Sequence, residues 1–181
     1  MQILVLNGSP RMNGNTRTAL NRIIFGIKKN MPAADVNSID VTKLNMSGCT
    51  NCDECKCNGG VCVMQDDSAE LMEKVSQADT VILGTPVYWW GMSSQMKMVI
   101  DKFYSKDEQF HTQNKKLGIV VVGASPTDDK QYQLIGDQFR CICEYLGWRM
   151  VFDEPISAFA EDEVAANSME LFRLGELWKM L

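Results

Sequence analysis

The sequence has almost no histidine, a single His111 in 181 residues, and its five prolines and 13 glycines are too few for a collagen-like or disordered chain. Without a second histidine no hydrolase triad can be built by the usual route, so His111, in the polar stretch from Asp107 to Lys116, reads as a surface residue. Long apolar runs are missing too. The longest, Leu117 to Ala124, falls far short of the roughly 18 residues that span a bilayer. Met1 to Leu6 has no basic flank and runs straight into Asn7-Gly8-Ser9-Pro10, so it reads as a strand and not as a signal peptide. No run of five basic residues occurs, and 18 Lys and Arg against 23 Asp and Glu give a net charge of -5. That balance disfavours a nucleic-acid partner, whose phosphates call for clustered Lys and Arg. These absences leave one soluble domain over residues 1–181, expected in the cytoplasm, with neither membrane nor nucleic acid as partner. A chain of this length buries roughly 70% of its unfolded surface and needs no disulfide or metal staple to fold.

Cysteine, by contrast, is concentrated in one place. Five of the seven, Cys49, Cys52, Cys55, Cys57 and Cys62, fall within 14 residues of a stretch at about 45–66 that has no hydrophobic periodicity. In a reducing compartment such a knot points to metal or redox chemistry more than to structural disulfides. Cys141 and Cys143, two apart on an expected helix, read as core fillers.

Along the rest of the chain, Ile3-Leu4-Val5-Leu6, Thr80 to Leu83, Leu117 to Val122 and Trp148 to Phe152 are short apolar runs of the kind that form strands buried on both faces, and Val36 to Val41 is a weaker strand. Between them Leu20, Ile23, Ile24 and Ile27, then Leu71, Met72 and Val75, then Met96, Val99, Ile100 and Phe103 recur at helical spacing. A further helix from Leu134 stops at Gly147, and Leu171, Leu174, Trp178 and Leu181 mark the last. Asp67 and Glu70 have capping-box spacing; Asp66-Asp67 could instead serve as a metal pair. Five strands alternating with five helices force parallel pairing with right-handed crossovers, hence an α/β three-layer doubly wound sheet. Ligands of such sheets bind beyond the carboxyl ends of the strands, which singles out the loops after Leu6, Leu83 and Val122.

The first loop, Gly8-Ser9-Pro10-Arg11-Met12-Asn13-Gly14-Asn15-Thr16, has the chemistry of an anion site: glycines, hydroxyls from Ser9 and Thr16, the charge of Arg11 and a helix N-terminus. It lacks the Lys-Ser/Thr of a triphosphate loop, and Gly8 and Gly14 do not fit the dinucleotide spacing, so a terminal monophosphate suits it better. The plainer alternative is a strand-to-helix turn in which Asn15 or Thr16 is only an N-cap. The second loop, Thr85-Pro86-Val87-Tyr88-Trp89-Trp90-Gly91-Met92, places three adjacent aromatics at the ligand edge. They can face a planar redox ring, plug the next helix or form a subunit interface. The third, Gly123-Ala124-Ser125-Pro126-Thr127, is small and polar enough for a ring edge to approach.

Together, GSPR-MN-GNT after the first strand, TPVYW after the third, and Met96-Lys97 with Asp101-Lys102 downstream resemble the flavodoxin-fold NADPH-dependent FMN reductases. The Cys-x2-Cys-x2-Cys-x6-Cys element ahead of Asp66-Asp67 further resembles the iron-sulfur flavoprotein branch of that family. The resemblance implies a five-stranded sheet ordered 2-1-3-4-5, one FMN per site and a homodimer or homotetramer. It implies that Ser9, Arg11, Asn15 and Thr16 hold the phosphate, that Pro86, Val87, Tyr88, Trp89, Trp90 and Gly91 border the isoalloxazine, and that Gly123, Ala124 and Ser125 close its polar edge.

Cys49, Cys52 and Cys55 share the spacing of a bacterial ferredoxin run, and a fourth ligand has to come from farther along. Cys57 is only two residues from Cys55, a span that strains ligation of the same cluster, whereas Cys62 can bend back through Gly59-Gly60. The expected metal ligands are therefore Cys49, Cys52, Cys55 and Cys62, around a [4Fe-4S] cluster near the flavin edge of the same or a neighbouring subunit. Zinc and a loop of reduced thiols remain as alternatives. The expected function is an oxidoreductase in which FMN takes electrons from NAD(P)H and passes them to a flavin, a quinone or another small acceptor, with no catalytic acid or base from the protein. The alternative is an electron carrier between protein partners such as a ferredoxin.

Overall fold

Ile3 and Val5 point to one side of their strand and Leu4 and Leu6 to the other, and in the computed structural model, which describes residues 1–181, both sides are covered. The strands are β1 (Gln2–Asn7), β2 (Asp35–Asp40), β3 (Thr80–Tyr88), β4 (Lys116–Gly123) and β5 (Arg149–Ser157). They pair in parallel in the order β2-β1-β3-β4-β5, the order the resemblance implied. The helices are α1 (Asn15–Asn30), α2 (Ser68–Gln77), α3 (Ser94–Lys102), α4 (Lys130–Leu146) and α5 (Ser168–Gly175). Leu4, Leu6, Val81, Leu83, Ile119 and Val121 meet α2, α3 and α4 on one face. Ile3, Val5, Ile82, Val120 and Val122 meet α1 and α5 on the other. Truncating one of these buried aliphatics to Ala costs about 2–5 kcal/mol. No helix is long and apolar enough to cross a membrane.

The helix stop expected at Gly147 is present: its φ is 69°, and the Trp148 N–H returns to Cys143 O at 2.9 Å. Other boundaries moved. β3 does not end at Leu83 but runs on to Tyr88, pairing with β4 as far as Pro86 and Val122. Pro86 is tolerated because β1 pairs with β3 only up to Gly84, so beyond that point β3 is a one-sided edge. The chain then turns through Trp89 and Trp90 and comes back antiparallel as Gly91–Met92. The capping box is not formed either. Asp67 accepts from the Asn45 N–H at 2.7 Å and makes no cap bond, while Asp66 accepts from the Ser68 N–H at 2.9 Å and the Ser47 N–H at 2.9 Å. Both carboxylates are thus spent tying the cysteine stretch to the start of α2. Of the two expected core cysteines only Cys143 is buried, its thiol pushed up to about 11 by burial; Cys141, two residues away and about 200° round the helix, is exposed. His111 is exposed, its ring edge-on to Tyr145.

Candidate functional site

The loops after β1 and β3 are tied to one another, and the loop after β4 is steadied, by side chains that sit beneath them. Asn7, at the end of β1, donates to Asp40 Oδ1 at 2.9 Å and accepts from the Ser9 N–H at 3.1 Å. Arg17 completes the support at 2.7 Å from Asp40. Burial alone would raise the Asp40 carboxyl, but the hydrogen bonds from Arg17 and Asn7 outweigh it and hold the group below the usual carboxylate range. Ser93, fully buried, caps α3 by accepting from the Met96 N–H and donates to Gly8 O at 2.7 Å, while its own N–H goes to Thr85 Oγ1 at 2.9 Å. Loops one and two therefore share one serine. The Tyr132 hydroxyl reaches Ser125 O at 2.8 Å and steadies the third.

These supports frame an open cleft of about 640 Å³ at the carboxyl ends of the strands. From the first loop Ser9, Arg11, Asn15 and Thr16 line it, from the second Pro86, Val87 and Tyr88, and from the third Gly123 and Ala124. Trp89, Trp90, Gly91 and Ser125, expected beside them, are not part of the lining. The N-cap of α1 is Gly14, with no side-chain cap bond, so the reading of Asn15 or Thr16 as an N-cap does not hold. A Cβ on Gly14 would stand 2.9 Å from Arg11 Cβ, so only glycine lets the loop close this tightly. The first-turn N–H groups of this 16-residue helix are thereby left unsatisfied by any cap at the cleft. Asn15 offers its backbone only, because its carboxamide is engaged at both ends, donating to Ala160 O at 2.8 Å and accepting from the Val164 N–H at 3.1 Å.

In a chain of net charge -5, no Asp, Glu, His, Lys or Cys lines the cleft; Arg11 and Tyr88 are its only titratable residues. The first loop brings Arg11 and uncapped helix N–H groups to the cleft, the second brings apolar surface from Pro86 and Val87, and no carboxylate or imidazole lines it. Ala158 and Phe159 complete the lining, and the sequence pattern gave no sign of them.

Trp89 and Trp90 carry φ of 51° and 63°, the left-handed pair that a two-residue hairpin turn of the Asn-Gly kind demands. Trp89 is 91% exposed. Two bulky residues are held in a disfavoured conformation just beyond Tyr88, the last residue of this loop to line the cleft.

A second, tight hollow is lined by Cys49, Cys52, Cys55 and Cys62 together with Lys102 and Tyr104 from the end of α3 and beyond; Cys57 is not in its lining. Asn51, Asp53, Gly59 and Gly60 all take positive φ, which winds the stretch tightly around it. The Tyr104 hydroxyl donates to Asp53 at 2.9 Å, and Lys56 pairs with Asp107 and lies over the Tyr104 ring at 4.1 Å. Lys102, 2% exposed, places its ammonium 3.5 Å from Cys62 Sγ and 3.9 Å from Asp66. Burial raises the Cys55 thiol above its ordinary value, with Cys62 and Cys52 adding to the shift against the opposing charge of Lys56. No three of the chain's His, Cys, Asp or Glu side chains converge closely enough to chelate one ion. The hollow shares no residue with the cleft. Its Lys102 stands at the opposite end of α3 from Ser93, nine residues or about 14 Å along the helix.

Known proteins match this architecture. An iron-sulfur flavoprotein of Methanocaldococcus jannaschii is 34% identical over 125 residues, covering 69% of this chain and 63% of that protein. One from Methanosarcina thermophila is 26% identical over 140 residues, covering 76% and 72%. Against the first iron-sulfur flavoproteins it matches, the chain spans between half and two thirds of their length, at 63%, 55% and 50%. The structure of an NAD(P)H:quinone oxidoreductase from Methanothermobacter marburgensis superposes with a TM-score of 0.74 over 99% of this chain and 96% of that one, at 13% identity, a likeness of fold. The model of a family described as NADPH-dependent FMN reductase matches residues 1–153, and the chain belongs to that family.

Proposed function

We propose that the protein is an FMN-dependent oxidoreductase that takes electrons from NAD(P)H and delivers them to a small acceptor such as a flavin or a quinone. The observation that carries this reading is the polarity of the cleft: uncapped helix N–H groups and Arg11 at one end, an apolar wall from Pro86 to Tyr88 at the other, and no carboxylate between them. Such a site fits a molecule that is anionic at one end and flat at the other. Ser9, Arg11, Thr16 and the first turn of α1 hold the terminal phosphate. Pro86, Val87 and Tyr88 face the ring, and Gly123 and Ala124 allow its polar edge to reach backbone. When bound, the flavin supplies reversible hydride and electron transfer. The chain's own contribution is to bind, orient and partly shield it, which explains why the cleft needs no acid or base. Titration with FMN, followed by anaerobic addition of NADPH or NADH, tests the assignment. Reduction by reduced ferredoxin alone would support the electron-carrier reading instead.

We propose that the four-cysteine hollow holds a [4Fe-4S] cluster rather than zinc. Tetrahedral zinc draws four ligands to one point, whereas each thiolate around a [4Fe-4S] cluster meets a different iron, so its sulfurs ring a cavity. Here the four cysteines line one hollow, and no three of them converge closely enough to chelate a single ion. Cys49, Cys52, Cys55 and Cys62 would be the ligands, with the Lys102 ammonium offsetting their negative charge. Iron and acid-labile sulfide in anaerobically purified protein test this part independently of FMN.

A further inference from the structure

Residues 158–164 lie beyond the stretch that the family model matches, yet they return from β5 across the cleft to α1. Their backbone is held with unusual care. The Ala158 N–H donates to Gly123 O at 2.8 Å, and Asn15 commits its whole carboxamide to Ala160 O and the Val164 N–H. The Glu163 carboxylate turns back to accept from the Phe159 N–H at 2.7 Å and the Ala160 N–H at 3.0 Å. Val164 is buried in the core under α1. Between the buried Ala158 and Val164, these contacts also fix the backbone of one side chain that itself packs on almost nothing: Phe159 lines the cleft and is 82% exposed. The buried Ala158 and Val164 account for the fixed backbone, but leaving a phenyl group in water forgoes its burial, so the stability of the loop does not explain an aromatic residue at 159.

We propose that Phe159 is a cofactor-binding residue, an apolar wall that covers the flavin on the far side of the β4 loop from Tyr88, with Asn15 and Glu163 as its positioning residues. The strand order supports that placement, because the loop after β5 and the loop after β3 flank the loop after β4. Asn15 gives the arrangement its rigidity. Its backbone begins the helix whose N-terminus faces the phosphate, and its side chain holds the Phe159 loop, so the two ends of the cofactor are gripped by one residue's two halves. The inference rests on the FMN reading of the cleft.

The test follows FMN release from the loaded protein on dilution, by recovery of free-flavin fluorescence. Phe159→Ala is expected to weaken FMN roughly tenfold, mainly through faster release, while Phe159→Leu, which restores apolar cover, stays close to wild type. Inhibition of FMN binding by inorganic phosphate should be unchanged in Phe159→Ala, since the ring does not serve the anion end. Glu163→Ala should weaken FMN in the same direction, and Glu163→Gln, whose carbonyl oxygen can still accept both N–H groups, should recover most of the loss. Wild-type FMN release in Phe159→Ala, alongside a loss in Arg11→Ala, would overturn the role of Phe159 and leave the cleft assignment standing. A wild-type chain that holds no FMN would remove both.

Discussion

Trp89 and Trp90 stand edge to face, ring centroids 5.6 Å apart, on two consecutive left-handed backbone positions. Each such position costs a bulky residue on the order of 1–2 kcal/mol, and an exposed aromatic pair returns only about 0.5–1.5 kcal/mol. The turn is therefore a net loss for stability. Replacing Trp89→Asn and Trp90→Gly together installs the residues this turn prefers and should raise the free energy of unfolding by about 1 kcal/mol in urea titrations, with the fold retained. The same variant should alter the fluorescence or reduction rate of bound flavin. Unchanged flavin behaviour with a changed oligomer mass would make the turn a subunit interface.

Arg11 is the one full positive charge in the cleft lining. Arg11→Ala should lose a charge-assisted contact of about 1.5–3 kcal/mol and weaken FMN by roughly 10- to 150-fold. Riboflavin, which lacks the phosphate, should bind both proteins alike. Equal FMN affinities in parallel titrations would sink the phosphate assignment.

The cluster proposed for the cysteine hollow should be removable without disturbing the cleft, because the two share no residue. Cys55→Ser or Cys62→Ser is expected to lower iron and sulfide content while FMN binding persists. Cys57→Ser should leave both as they are. Iron lost equally from all three variants would contradict the ligand set, and wild-type protein free of iron and sulfide after strictly anaerobic preparation would defeat the cluster.

Asp40 anchors Asn7 and Arg17 beneath the first loop, and its folded-state carboxyl lies below its unfolded value near 3.8. The sign follows: the unfolded chain takes up the proton first, so this contribution is present above pH 3.8 and is lost as pH falls through the lower folded value. Asp40→Asn should cost about 1.5–3 kcal/mol at pH 7, and the gap from wild type should close in strong acid. A gap that stays constant across that range would show that Asp40 acts by shape and not by charge.

Much of this was legible in the sequence, and the residues show why the rest was not. Ile3 to Leu6 and Leu20, Ile23 and Ile27 report local periodicity, so their strand and helix could be placed from the chain alone. Gly84-Thr85-Pro86 looks like a turn in isolation and becomes strand only because β4 pairs with it. Asp67 has the right spacing for a cap, but Asn45, 22 residues earlier, competes for its carboxylate. Ser9, Arg11 and Thr16 have the residue types of an anion site, and the structure brings them into one cleft. Asp40 beneath Asn7, and the Phe159 loop held by Asn15, depend on contacts across 33 and 145 residues, which no local pattern encodes. Ser93 could have been found as the N-cap ahead of Met96, although nothing local says that it also grips Gly8.

The most direct test of the central claim is anaerobic addition of NADPH, and separately NADH, to the FMN-loaded protein while its flavin absorbance is recorded. The account predicts bleaching by at least one of the two nucleotides and return of the oxidised spectrum when a quinone is added. A chain that retains FMN but is bleached by neither nucleotide, yielding only to reduced ferredoxin, would contradict it.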